Sequence, residues 1–341
     1  MEQIFTEGRR GSVLRPFSHS AEVECRGCSI PLQRAITDFG ADDPFAGGAS
    51  AKLREHYGID VPVSVIRAVT EKHGEAILAS QGQETDLPDR PGVAVLIAEI
   101  DGSMVPVVET AEPIAGEPPI DRRKTRTLMW KEARLGLAHQ PGSVTPIFGA
   151  TMGTVDEAGE QLWRSAIRAG AGTKTKFHCV GDGASWITDQ VDLRFGTQAT
   201  YLVDFYHLCE YISAAAKVVA GGSKEAWIEE KKNWLKDNRW PDVLESLKPH
   251  LENEKVADKD APVRACYRYI ANRPKFLDYK SALAAGLPIG SGEVESAHRY
   301  VIQIRLKIAG AWWKVENAAK MLALRVMRAN GDWEKYWSEA A

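Results

Sequence analysis

The sequence predicts an α/β protein: a mixed five-stranded sheet with helices, interrupted by an all-helical insertion and preceded by a small helical domain. Three observations carry this. Apolar runs of strand length end in an acid at Asp101, Asp182 and Asp204, with glycine directly after the first two. Helical patterns separate the later strands, as strand-helix-strand units require. From about residue 221 to 285 the strand signal vanishes and the chain becomes rich in Trp, Lys and Glu at helical spacing.

Taken in order, residues 1–28 carry Gly, Ser and Pro without a clear period and are expected to lack regular structure. Helical patterns follow at 32–39, 49–57 and 62–80, the last two joined by a turn at Gly58 with Pro62 at the next helix start. Helix, glycine turn and helix form the outline of a helix-turn-helix, whose second helix would present Ser64, Arg67 and Lys72 to DNA. A small dimerisation bundle would share this outline. Residues 81–92 are polar, hold two prolines and read as a linker. Strands are expected at 93–108, 131–139 and 143–152, a helix at 156–169, then the strands of Asp182 and Asp204 and a helix from Tyr206 to about Val219. After the insertion, Gly290-Ser291-Gly292 leads into a long helix over 293–308. The implied domains are 1–80, the linker 81–92, a sheet domain over 93–220 and 287–312 split by the insertion 221–286, and terminal helices over 313–341.

Carboxylates converging at neighbouring strand ends repel one another unless divalent cations neutralise them, so hard metal ions with oxygen ligands are expected. The net charge of −3 by itself disfavours a polyanionic partner, but it conceals segregation. Arg122, Arg123, Lys124, Arg126, Lys131 and Arg134 stand against Glu132 alone over 122–134. Arg299, Arg305, Lys307, Lys314, Lys320, Arg325 and Arg328 stand against Glu316 alone over 298–328. Such segments suit nucleic acid or a solvated helix face equally. No apolar run approaches the roughly 20 residues of a membrane span, and the amino terminus lacks a signal-peptide core, so a cytoplasmic location is expected. Cys179, Cys209 and Cys266 fall within expected elements as small buried hydrophobes. Cys25-x-x-Cys28, with His19 upstream, offers half of a zinc site, but no second pair follows at finger spacing.

Two strand-end aspartates, and a glutamate opening a helix after a helical insertion, are the parts of a ribonuclease-H-like metal site. Here the sequence resembles a family through Asp101-Gly102, Trp130-Lys131-Glu132-Ala133-Arg134, Gly181-Asp182-Gly183-Ala184-x-Trp186-Ile187, Asp204-Phe205-Tyr206-His207, Gly290-Ser291-Gly292-x-x-Glu295-Ser296 and Leu324-Arg325. These motifs look like those of bacterial insertion-sequence transposases of the Asp-Asp-Glu class, Kra-type branch. The resemblance implies a ribonuclease-H-like catalytic core with Asp101, Asp182 and Glu295 as catalytic metal ligands for two Mg²⁺ ions, with Mn²⁺ as a substitute. It implies double-stranded DNA as partner, at transposon ends and target, with a homodimer or higher oligomer assembled on it. Water, then a freed 3′ hydroxyl, would attack phosphorus. Asp204 and His207 resemble a supporting motif, although Asp204 also suits a plain cap for the helix that follows it. Arg122, Arg123, Lys124, Arg299, Arg305 and Lys307 join the helix-turn-helix residues as expected DNA contacts. A metal-dependent nuclease without transposition, or a domesticated DNA-binding protein, would share many of these features.

Between the two glutamates of the late helix, a regular 100° period places Glu293 with Tyr300 and Lys307 on a solvated side. The same period places Glu295 with Arg299, Ile302, Leu306 and Ala309 on a mainly apolar stripe facing the sheet, with Ser291 as the helix cap.

Overall fold

The computed structural model describes residues 5–6, 13–14, 25–81, 86–111, 121 and 124–340. In chain order the helices and sheet strands are α1 (Ile30–Asp42), α2 (Ser50–Tyr57), α3 (Val63–Ser80), β1 (Val95–Glu109), β2 (Thr127–His139), β3 (Ile147–Thr151), α4 (Val155–Arg168), β4 (Lys176–Gly181), α5 (Ser185–Phe195), β5 (Ala199–Val203) and α6 (Phe205–Val219). They continue as α7 (Lys224–Lys236), α8 (Trp240–Leu247), α9 (Pro262–Ala271), α10 (Tyr279–Ala284), α11 (Gly292–Ala297), a π-helical segment His298–Gln303, α12 (Val315–Ala329) and α13 (Trp333–Glu339). Near the amino terminus, Phe5–Thr6 pairs antiparallel with Val13–Leu14 where no regular structure was expected. No described helix is long and apolar enough to cross a membrane. The chain divides into two compact units, one of residues 1–83, 103–133 and 298–341, the other of residues 84–102 and 134–297. These boundaries differ from those implied by composition. A change in composition marks where a segment alters character, not what it packs against.

In the first unit the helix, glycine turn and helix of the sequence reading are present. Gly58 closes α2 in the left-handed region (φ 63°), which an L side chain rarely adopts. Ile36, Leu53, Ile66 and Val69 form the shared core. The C-terminal helices then pack against this group. Gly74 of α3 admits α12 so closely that a Cβ there would meet the Lys320 carbonyl at 2.8 Å. Charged pairs fasten the same helices, with Arg325 on Asp42, Arg328 on Asp38, and Lys320 on Glu75 at 3.2 Å.

Arg305 lies in this unit with only 2% exposure. Its Nε donates to the Gly40 carbonyl at 3.0 Å, and its guanidinium sits 4.7 Å from the ring centres of both Phe45 and Trp313. Burial lowers its pKa to about 10, which leaves it cationic at neutral pH. The expectation that Arg305 contacts DNA is therefore corrected: a guanidinium held between two rings is a packing residue. Arg305→Ala should lower stability by about 3 kcal/mol, through lost stacking and an unsatisfied carbonyl, as read by denaturant unfolding. Lysine should not restore it, because it lacks the planar face that stacks.

The sheet has the order β3-β2-β1-β4-β5, and the second unit holds β3, β4, β5, β1 up to Gly102 and β2 from Arg134. β1 pairs parallel with β4 and β4 parallel with β5, while β3 runs antiparallel to β2. This is the mixed five-stranded, ribonuclease-H-like arrangement expected. Side-chain alternation gives the sheet two working faces. Leu96, Ala98, Ile100, Phe177 and Cys179 pack with α4 and α5 on one. Val180 and Leu202 pack on the other with α6 and the insertion, whose Leu235, Val243, Cys266 and Tyr279 share that core. Thr154 caps α4 by accepting the Glu157 amide. The insertion is all helical, as the sequence implied, and it is a core partner of the sheet rather than an appendage.

Candidate active site

Glu99 pairs with Val180 across β1 and β4, and Gly181 pairs with Val203 across β4 and β5. Carrying that register forward sets Asp101 beside Asp182 and Asp182 beside Asp204, one row of acids at the carboxyl ends of three adjacent parallel strands, about 4.8 Å apart. Asp101 shares its face with Glu99 and Ile97, opposite the Leu96, Ala98 and Ile100 core. Asp101 and Asp182 are half-buried, whereas Asp204 is 2% exposed.

The three acids have different surroundings. Asp182 Oδ1 accepts the Ala184 amide at 2.8 Å, closing a turn. Gly183 follows at φ 81°, where a side chain would be strained. Its amide donates to the Tyr201 hydroxyl at 3.0 Å, and its carbonyl accepts Arg273 Nε at 3.0 Å. Asp204 is fully engaged. Oδ1 caps α6 by accepting the Tyr206 and His207 amides at 2.6 and 2.9 Å, while Oδ2 accepts the Ser291 amide and hydroxyl at 2.7 and 2.5 Å. The helix cap read for Asp204 is present, and the same side chain ties the start of α11 to the end of β5. Its partner His207 is half-buried, edge-on to Tyr211 and Tyr269, with Nδ1 3.7 Å from Glu210.

Sequence reasoning missed Glu99, although its position two residues before Asp101 in an alternating strand put it on the same face. It is 1% exposed, and Oε2 accepts the Val294 amide at 2.8 Å. Burial pushes its pKa to about 8; the Val294 bond opposes this, and the negative charges of Glu293, Asp204 and Glu295 add to it. Glu99 is thus protonated at neutral pH. The Ser291 hydroxyl is spent on Asp204, so a first-turn amide of α11 takes its acceptor from Glu99 rather than from the expected serine cap.

The late helix also departs from its expected single period. α11 is followed by the π-helical segment, and the extra residue per turn shifts the phase of everything beyond it. Glu295 and Arg299, expected on the stripe against the sheet, are exposed, while Val294, Ala297, His298, Val301, Ile302, Arg305 and Leu306 are buried. Glu293 is exposed, as expected, and its Oε2 lies 2.9 Å from Nε2 of the buried His139. Among the described residues, no three His, Cys, Asp or Glu side chains are grouped to hold a metal ion. Glu295 is accordingly not gathered with Asp101 and Asp182. The aspartate pair nevertheless fits a hard cation in donor type and number, because Mg²⁺ commonly takes one or two carboxylates and fills its remaining positions with water and substrate phosphate.

Of the expected DNA contacts, Ser64, Arg67 and Lys72 on α3 are exposed, as are Lys124 and Arg299, and Lys307 is half-exposed. Arg122 and Arg123 lie outside the described residues. The exposed face of α3 also carries Glu75, with Glu71 partly buried beside it, so its charge is mixed. Cys28 is buried without a disulfide, and the side chain of Cys25 lies outside the described residues.

An uncharacterised protein family (UPF0236) matches residues 170–339, from ahead of β4 to the end of α13. The match includes Asp182, Asp204, His207 and Glu295 but not Asp101. Among curated proteins, none matches the chain.

Proposed function

We propose that this chain is a divalent-metal-dependent polynucleotidyl transferase, a DNA transposase that cleaves phosphodiesters at element ends and joins the freed 3′ hydroxyl to target DNA. The observation that carries this reading is the register of Asp101 and Asp182, side by side at the ends of adjacent parallel strands in a ribonuclease-H-like sheet. Those two carboxylates would hold Mg²⁺ or Mn²⁺, which supplies an activated oxygen nucleophile and charge neutralisation at phosphorus. The chain's own part is placement. The Ala184 amide fixes one oxygen of Asp182, while Asp204 and Glu99 fasten the segment that carries Glu295. Glu295 enters as third ligand through the family resemblance, and the proposal rests on the aspartate pair.

The test uses the full chain with supercoiled plasmid and with duplexes carrying the inverted repeats that flank its reading frame. Nicking in Mg²⁺ or Mn²⁺, its loss on chelation, and joining of repeat ends to plasmid are the expected results. Nicking without joining would favour a nuclease that needs no paired ends. Absence of any metal-dependent cleavage in either cation would overturn the reading.

A further inference from the structure

We infer that the helical insertion acts as a clamp on the turn bearing Asp182, with Tyr269 and Arg273 of α9 and the residues just after it as positioning residues for the metal site, an inference that rests on the proposed reading of that site.

Locally, the turn at 182–184 is closed by the Ala184 amide on Asp182 Oδ1, a bond that leaves the Asp182 and Gly183 carbonyls to be held from elsewhere. Gly183 occupies the left-handed region, and glycine loses more conformational freedom on ordering than any other residue. Three side chains from elsewhere in the same compact unit hold it. The Tyr269 hydroxyl donates to the Asp182 carbonyl at 2.5 Å, and Arg273 Nε donates to the Gly183 carbonyl at 3.0 Å. Tyr201 of β5 accepts the Gly183 amide at 3.0 Å. Two successive carbonyls of an acid-bearing turn are thus fixed by donors some 90 residues later in the chain.

The donors are themselves braced. Arg273 lies 4.1 Å over the Tyr269 ring and donates to its carbonyl at 3.2 Å, while Tyr269 stacks on Tyr211 of α6 with ring centres 4.2 Å apart. Tyr269 is only 6% exposed. The absence of a side chain at Gly183 is part of the arrangement, since a Cβ there would lie 2.5 Å from Arg273 Nε. If packing alone were the purpose of α9, its apolar face of Val263, Cys266 and Ile270 would suffice. Hydroxyl and guanidinium groups aimed at the carbonyls of the two peptide groups that flank Gly183 instead set where the Asp182 carboxylate stands. Partners of this outer kind are worth about 10- to 100-fold in metal affinity.

The experiment compares wild type with Tyr269→Phe, Arg273→Gln, Arg273→Lys and Asp182→Asn in the full chain. Two readouts are taken: hydrogen exchange over the 182–184 turn without metal, and Mn²⁺ binding by calorimetry. Tyr269→Phe and Arg273→Gln should speed exchange at the turn more than at the β4 amides and weaken Mn²⁺ binding about tenfold. Arg273→Lys, which keeps one donor, should recover part of both, and Asp182→Asn should lose Mn²⁺ without speeding exchange as the clamp variants do. Unchanged exchange at the turn in the clamp variants would overturn the inference whatever the metal does. Mn²⁺ binding lost in Asp182→Asn but unaltered in both clamp variants would also overturn it while leaving the proposed function standing. A wild type that binds no Mn²⁺ would sink the proposed function, leaving exchange to judge the clamp.

Discussion

Replacing either Asp101 or Asp182 by alanine is expected to abolish metal-dependent cleavage while the chain stays folded. Loss of an outer partner of a metal ligand already costs about 10- to 100-fold, so loss of a ligand itself should exceed roughly a thousandfold. Folding should survive, since the two acids lie in one row and removing either relieves repulsion between like charges on adjacent strands. DNA binding by other surfaces should also persist, which separates this outcome from misfolding. Full cleavage by either variant in Mg²⁺ would remove the basis for the site. The same assay decides the glutamates. Both side chains are exposed, but Glu293 has its Oε2 2.9 Å from His139 Nε2, whereas Glu295, two residues on, points to roughly the opposite side of the helix. Glu295→Gln is expected to lose cleavage and Glu293→Gln to keep most of it, and the reverse order would move the third ligand to Glu293.

The second large effect is acid destabilisation of the helical unit through His73. This ring is 5% exposed; its Nε2 lies 3.0 Å from Gln33 Oε1 and its Nδ1 2.7 Å from the Tyr336 hydroxyl. Burial, with a smaller contribution from Lys72, lowers its pKa from 6.5 to about 4. Between those values the unfolded chain binds a proton that the folded chain does not. The stabilisation from holding His73 neutral is therefore complete above pH 6.5 and is lost as the pH drops toward 4, by about 3 kcal/mol in all and about 2 kcal/mol by pH 5. His298 shifts in the same direction, also to about 4, by burial and then the Lys307 charge, so it adds to the same limb. Denaturant unfolding at pH 7, 6 and 5 reads this above the range in which ordinary carboxylates titrate. Glu99, held at about 8, acts in the opposite direction over the same range, so the comparison is between variants. His73→Gln should make stability at pH 5 relative to pH 7 more favourable than in wild type by about 2 kcal/mol, and an unchanged difference would show that this ring is not held neutral.

Local pattern accounts for much of the architecture. Periods of two residues with terminal acids located β1, β4 and β5, and periods near 3.6 located α1 to α4 and the insertion, because burial of one face writes itself into successive residues of one segment. The adjacency of Asp101 and Asp182 was legible for the same reason, once both were placed at the ends of strands in one sheet.

What the sequence could not state is which distant segment answers each polar group. Glu99 reads as an acid in an apolar run, yet its carboxyl meets an amide 195 residues away. Arg305 reads as one cation in a basic helix, but the Gly40 carbonyl, 265 residues distant, and two rings make it interior. The C-terminal helices show no sign in their own pattern that α3 is their partner, and the π-helical segment after α11 leaves no mark in composition while rotating the residues beyond it. Periodicity determines which face of an element is buried. The partner on that face, and with it the charge state of Glu99, the burial of Arg305 and the hold on the Asp182 turn, exists only after long-range packing has excluded water from groups that must then find one another.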